Sequence, residues 1–370
     1  MNKFGKFTVR ILSIILAGSV AAGIITGGRE YNSVADYAYH GNFDANRFDA
    51  IDCPIDLKTD SFFDDSVVYR LPETLSDGSE VSVIVSLGSE TSVDMYNRVG
   101  CKKSLSEFLR TDEAKAVADK VRSDCDGYIA KLDRSGIRYT LGERYDTILN
   151  GFEITVSAGD FGKVGQTLGD EVSLIVGETY EKAESKVITN EVKVYPTGIF
   201  DTYGGEYQGD GVVVAVLDTG LDYTHTAFSD ENFDAPDESL AFSYDDISDK
   251  ISSTKAAEFT SGLTAADVWR GRKVPFSYDY ADKDSDVFPI NSEHGTHVAG
   301  IIAGKDAEIT GVAPRAQLAI MKVFSDFREG SKTSWILAAL EDCVNLGVDV
   351  INMSLGASCG FARAEDDEQV

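Results

Sequence analysis

The chain has 370 residues, 43% of them hydrophobic, and a formal net charge of −28. That length gives room for a large core and for two or three domains. A surface this acidic repels phosphate backbones and anionic headgroups, which argues against nucleic acid as a partner.

The N-terminus carries Lys3, Lys6 and Arg10, then an apolar run from Ile11 to Thr26, then Ser33 and Ala35 in a small-x-small arrangement. This pattern predicts a secretory signal peptide over residues 1–35 and hence an extracellular destination. Because the apolar run is long for a signal, an uncleaved membrane anchor is the competing reading. No other stretch is apolar enough to span a bilayer. The five cysteines, Cys53, Cys101, Cys125, Cys343 and Cys359, are scattered and odd in number. They give neither a disulfide framework nor a CxxC metal knuckle, and most are expected as small buried hydrophobes.

Residues 36–75 are polar and acidic without clear periodicity, and read as a lead-in. From residue 76 to 185 the pattern is that of a small α+β domain. Val81, Val83, Val85 and Leu87 alternate as in a half-buried strand, and Phe152, Ile154 and Val156 form a second such strand. Between them, Leu105, Phe108, Leu109, Ala116, Val121, Tyr128 and Leu132 lie among many charges, as in one or two amphipathic helices. A short helix near 159–168 and a strand at 172–176 complete a β-α-β-(α)-β order of ferredoxin-like type. It holds no catalytic cluster, so a folding or inhibitory role is expected. Residues 180–210 read as an exposed connection, with a linker and processing site over 186–210.

The third region, 211–370, begins with the run Val212–Leu217, continuously apolar and suited to a strand buried on both faces of a parallel sheet. It ends on Asp218-Thr219-Gly220. Residues 229–290 are rich in Asp, Ser and Tyr and are expected as long surface insertions. Then Glu293-His294-Gly295-Thr296-His297-Val298-Ala299-Gly300 leads into small and apolar residues, a pattern that suits a tightly packed helix. Strands are predicted at 317–323 and 348–355 around a helix carrying Trp335, Ile336, Ala339, Leu340, Cys343 and Val344, stopped by Gly347. Strand–helix alternation predicts a doubly wound parallel α/β sheet with its site at the carboxyl ends of the strands.

A carboxylate ending a strand and a histidine opening a helix can meet above such a sheet. Asp218 would accept from Nδ1 of His294, leaving Nε2 as a general base for a serine hydroxyl. Other readings compete. In one, Asp218 and His294 each cap only their own local structure. A single Asp-Thr-Gly tripeptide would serve an aspartic protease only as a homodimer. His294 and His297, three residues apart, lack the glutamate and third ligand of a zinc site. His297 is expected as a packed helix residue, and His40 and His225 suggest nothing specific.

The segments Val214–Asp222, His294–Gly300 and Asp349–Gly356 resemble the aspartate, histidine and substrate-binding blocks of subtilisin-family (subtilase) serine proteases. The resemblance implies a subtilisin-like sheet, incomplete in this chain, in which Asp218 orients His294, the general base. It also implies that Ser354, Leu355 and Gly356 pair with an extended protein or peptide substrate. Residues 81–180, above all Asn150-Gly151-Phe152, resemble the family's propeptide, whose tail would occupy the active-site cleft until cleaved. The region 272–324 is most like the large cell-envelope subtilases of Gram-positive bacteria.

The family's oxyanion asparagine and nucleophilic serine lie beyond the substrate-binding strand, and no such residues follow Gly356 here. The expectation is therefore a secreted serine endopeptidase zymogen carrying only Asp and His of its triad, inactive as this chain alone. The alternative is a non-catalytic fragment whose propeptide-like domain inhibits a full-length subtilase. No cofactor is assigned: calcium is common in the family, but no ligand spacing supports a site. Membrane association would come only through the signal peptide or a C-terminal anchor outside this sequence.

Overall fold

The computed structural model describes the backbone of residues 10–11 and, in full, residues 76–182, 208–236 and 240–356. The remainder of the expected signal peptide, the lead-in before residue 76 and nearly all of the 186–210 linker lie outside the described residues. Among the described residues no helix is long and apolar enough to cross a membrane.

The first strand, β1 (Arg10–Ile11), lies far from the next in sequence. Then come β2 (Glu80–Ser86), α1 (Ser92–Val99), α2 (Leu105–Phe108), α3 (Asp112–Ser135), β3 (Tyr139–Tyr145), β4 (Gly151–Ser157), α4 (Phe161–Leu168) and β5 (Ser173–Val176). Strands β2 to β5 form a four-stranded antiparallel sheet in the order β3-β4-β2-β5, the ferredoxin-like arrangement. Period-two alternation divides its two faces. Val81, Val83, Val85, Phe152, Ile154 and Val156 pack under α3 and α4. Ile84, Tyr145 and Ile175 point the other way, toward Leu337 of the second domain. The long helix α3 starts where the Thr111 hydroxyl accepts from Ala114 N–H, and ends at Gly136, whose φ of 77° is the left-handed conformation that glycine tolerates.

A short strand, β6 (Thr179–Lys182), leaves this domain, and the second domain begins with β7 (Val213–Asp218). It continues through α5 (Tyr244–Lys250), α6 (Lys255–Phe259), α7 (Ala265–Val268), β8 (Phe276–Asp279), α8 (His294–Ala303), β9 (Gln317–Lys322), β10 (Ser331–Lys332), α9 (Thr333–Leu346), β11 (Val350–Met353) and β12 (Leu355–Gly356). Its central sheet is parallel throughout, ordered β1-β11-β7-β9-β8. All six residues of β7 are buried. Val213, Ala215 and Leu217 face a core shared with α5, α6, α7 and α9. Val214 and Val216 face a second core, built with Ala299 and Ala303 of α8. Helices on both faces make the sheet doubly wound, as the alternation of elements predicts.

One expectation fails clearly. Residues 229–290 are not mainly surface insertions: Phe242, Ile247, Ile251, Ala256, Ala265 and Val268 belong to the main core, and β8 adds a strand to the central sheet. The abundant Asp, Ser and Tyr conceal this, because they cap helices and fill buried polar positions. The Ser243 hydroxyl, for example, accepts from Asp246 N–H at the start of α5. Likewise Tyr278 and Tyr280 are fully buried.

Candidate active site

Period two places Asp218 on the same side of β7 as Val214 and Val216, the side that α8 covers. Helix α8 begins at His294, so the carboxylate at the strand's end meets the imidazole at the helix's start. His294 Nδ1 lies 2.7 Å from Asp218 Oδ1. The same oxygen accepts the Thr219 N–H at 2.7 Å. The Asp218 side chain is 1% exposed and that of His294 21% exposed, so the carboxylate is shielded while the ring has an open edge. Asp218 Oδ2 is buried without a hydrogen-bond partner among the described residues.

Close approach of strand and helix depends on two glycines. A β-carbon on Gly295 would stand 3.0 Å from Gly220 N and 3.1 Å from Asp218 Cβ, and nearer still to the Gly220 carbonyl. Gly220 itself has φ +107°, and a β-carbon there would strike the Val287 carbonyl. Thr219 completes the junction: its hydroxyl donates to Ser292 O at 2.8 Å and accepts from Gly295 N at 2.9 Å. It thereby satisfies one of the free N–H groups at the start of α8, where Glu293 provides no side-chain cap. Thr219, Ser292 and Gly220 were not identified from sequence as site residues, although Thr219 and Gly220 adjoin Asp218.

His297 is exposed, not packed as expected, and Ile301 on the same helix is 67% exposed. Only the Gly295, Ala299 and Ala303 side of α8 is buried. His225 accepts the Ala227 N–H through Nδ1 and shapes a turn; His40 lies outside the described residues. Cys125 and Cys343 are buried as expected, and burial pushes the Cys125 thiol up to about 12.

Strand β6 passes beside the site. It pairs antiparallel with β10 on one edge, Tyr180 opposite Ser331 and Thr179 opposite Lys332. On its other edge it pairs antiparallel with β12, Lys182 opposite Leu355 and Glu181 opposite Gly356. Residues 180–182, expected within an exposed connection, are therefore held between two strands of the second domain. Of the expected substrate-binding residues, Leu355 and Gly356 line this groove, and the Ser354 hydroxyl accepts from the Asn352 amide at 3.1 Å. The opposite wall, Ser331 and Lys332, was not foreseen. Its signal was Gly330, which adopts φ +71° and comes against Thr179 and Tyr180 so closely that no side chain would fit.

A buried charge network joins the two domains. Glu341 Oε1 accepts the N–H groups of Asp146, Thr147 and Ile148 at 3.1, 2.8 and 3.1 Å. Lys255 Nζ lies 3.4 Å from Glu341 and 4.0 Å from Asp146, and Arg122 lies 2.6 Å from Asp146. Next to Glu341 on α9, Asp342 accepts the Lys255 and Ala256 N–H groups at 2.6 and 3.0 Å and so caps α6.

Asp279, Asp282 and Asp326 bring carboxylate oxygens within 4.8 Å of one another, the spacing of a metal cradle. The cradle is filled by the protein itself: Lys322 Nζ lies 2.9 Å from Asp279 and 2.5 Å from Asp326. Burial works against the Lys322 charge, but hydrogen bonds to the two carboxylates more than offset it and hold the ammonium above its ordinary range. These residues do not fit a calcium ion, whose place the ammonium takes.

The arrangement has the chemistry of a base in waiting. A carboxylate on Nδ1 fixes the tautomer with the lone pair on Nε2 and stabilises the imidazolium formed when that nitrogen takes a proton.

Parts of the chain resemble known proteins. Residues 209–369 match the subtilase family, peptidase S8. The PI-type proteinase of Lactococcus lactis subsp. cremoris is 33% identical over 239 residues, covering 62% of this chain and 12% of that protein. The C5a peptidase of Streptococcus pyogenes serotype M3 is 34% identical over 173 residues, covering 43% of this chain and 13% of that protein. Among solved structures, fervidolysin from Fervidobacterium pennivorans, a keratinolytic enzyme related to subtilisin, covers 78% of this chain and 37% of its own at 17% identity and a TM-score of 0.45. The chain thus spans roughly an eighth of the length of these curated relatives. Residues 209–369 thus match the subtilase family, and the chain is similar to proteinases of Gram-positive bacteria of that kind.

Proposed function

We propose that this chain is the N-terminal part of a secreted serine endopeptidase zymogen, in which Asp218 and His294 are the acid–base pair of an Asp/His/Ser triad. The observation that carries the reading is the 2.7 Å contact between Asp218 Oδ1 and His294 Nδ1, made at the carboxyl end of the central strand. His294 Nε2 would take the proton of a serine hydroxyl as that oxygen attacks a peptide carbonyl. The same nitrogen would return the proton to the leaving amine, while Asp218 keeps the ring oriented and balances its charge. The serine and an oxyanion-hole asparagine belong to sequence outside residues 1–370 on this reading, and the chain alone is inactive.

Residues 76–182 act as the inhibitory propeptide. Support comes from β6, which adds itself as a strand between β10 and β12, the way an extended peptide is recognised by an open sheet edge. Secretion through residues 1–35, maturation within 186–210 and residence at the cell envelope complete the proposal. The test is to read the coding sequence through and beyond the Val370 codon. Continuation into an asparagine strand and a Gly-Thr-Ser helix start is expected. A confirmed stop, with no such sequence in any frame, contradicts the zymogen and leaves a fragment able only to bind.

A further inference from the structure

The segment lying between β10 and β12 is a peptide already bound, and its side chains report what the groove accepts. Backbone pairing extends through five residues. Glu178 N–H donates to the Thr333 hydroxyl at 2.9 Å, Thr333 N–H donates to Glu178 O at 3.3 Å, and Thr179 to Lys182 continue in the two ladders. Backbone bonds of this kind give affinity without choosing a sequence; choice comes from alternate side chains that point into the protein.

In β6 those are Tyr180 and Lys182, both half-buried, whereas Thr179 and Glu181 are exposed. Tyr180 packs against the main core, to which Trp335 and Ile336 of α9 belong. The Lys182 ammonium donates to the Ser292 hydroxyl at 3.0 Å, two residues from His294. Asp326, Arg328 and Glu329 line the same cleft of about 660 Å³.

We propose that the groove selects peptides by these two positions, taking an aromatic residue where Tyr180 sits and a basic residue two positions further on, where Lys182 sits. The inference rests on the reading of this groove as the peptide site. The chemistry fits each place. An aromatic ring buries large apolar area against the main core. A lysine places its stem along the cleft wall and its ammonium within hydrogen-bond reach of the Ser292 hydroxyl. The order matters: exchanged, the charge would sit on the apolar core.

The experiment uses the full 370-residue chain in three forms: unaltered, Tyr180→Gly with Lys182→Gly, and Thr179→Gly with Glu181→Gly. Amide hydrogen exchange across 179–182 is expected to accelerate about tenfold or more in the first double variant and little in the second, with β7 and β9 protected in all three. Equal acceleration in both double variants overturns the inference. Two capped peptides of equal composition and charge, Glu-Thr-Tyr-Glu-Lys and Glu-Thr-Lys-Glu-Tyr, are then titrated into the first double variant. The Tyr-first peptide is expected to bind about tenfold more tightly. Equal binding shows that the groove reads backbone alone, which overturns the selectivity while leaving the peptide site standing. No protection of 179–182 in the unaltered chain, and no binding of either peptide, removes the peptide site itself and the inference with it.

Discussion

Gly295 and Gly220 stand backbone against backbone: a β-carbon on Gly295 would come to 3.0 Å from Gly220 N, with the Gly220 carbonyl closer. No flexible side chain can yield at that contact, so the helix start must move away from the strand end. Gly295→Ala is expected to separate His294 from Asp218 and to destabilise the domain by roughly 2–3 kcal/mol, in the range of overpacking. Gly300, one and a half turns along α8, has open space around its Cα. Gly300→Ala is expected to be neutral or stabilising by up to about 1 kcal/mol through helix propensity. Denaturant titration of the two variants measures the contrast.

Glu341 bonds three consecutive N–H groups of the ferredoxin-like domain from a fully buried position on α9. Glu341→Ala leaves those donors unpaired and strips Lys255 of a carboxylate. The expected cost is about 3–5 kcal/mol at the domain junction, as for a broken buried pair. Residues 76–182 should then become cleavable at protease concentrations that leave the unaltered chain intact, while far-ultraviolet dichroism still reports folded structure. Unchanged resistance in the variant would rule out this junction as the main hold on the domain.

Lys273 is buried, with its ammonium donating to Pro314 O and Ala316 O at 2.8 and 2.7 Å, and burial lowers it to about 7. Between about pH 7 and 10 the unfolded lysine is protonated and the folded one is not, so the unfolded state binds more protons and stability rises with pH. The stability of the unaltered chain relative to that of Lys273→Met is therefore expected to rise by up to about 1.4 kcal/mol per pH unit over that window. Below pH 7 it should be flat. Urea titrations at four pH values check the slope and its sign.

Much of this architecture is legible in the sequence because its pattern is apolar. Val213 to Leu217 read as a strand buried on both faces since every residue is hydrophobic, and they are. The pair Asp218 and His294 is legible because each polar group ends or begins an apolar element, which is where a site must lie. Strand β3 is not legible: it is an edge strand with much of its length exposed, so the sequence Tyr139–Tyr145 shows no alternation. Buried polar groups conceal the rest. Glu341, Lys255 and Lys322 look like solvated charges, and only their partners, distant in sequence, make burial tolerable. The groove wall at Ser331–Lys332 is two residues long and meets its partner strand across about 150 positions, a pairing no local pattern encodes.

Asp218 and His294 are proposed to activate a serine. Labelling the product of the uninterrupted coding sequence with a fluorophosphonate, which reacts only with an activated serine, tests it most directly. Residues 76–182, the proposed propeptide, should first be removed by mild proteolysis, and His294→Ala and Asp218→Asn compared with the unaltered protein. In subtilisin itself, loss of the histidine costs roughly 10⁶ in kcat and loss of the aspartate roughly 10⁴. Labelling of the unaltered protein, with none detectable in His294→Ala and a severe loss in Asp218→Asn, is the expected result. Equal labelling of all three, or a labelled serine indifferent to both substitutions, would contradict the assignment.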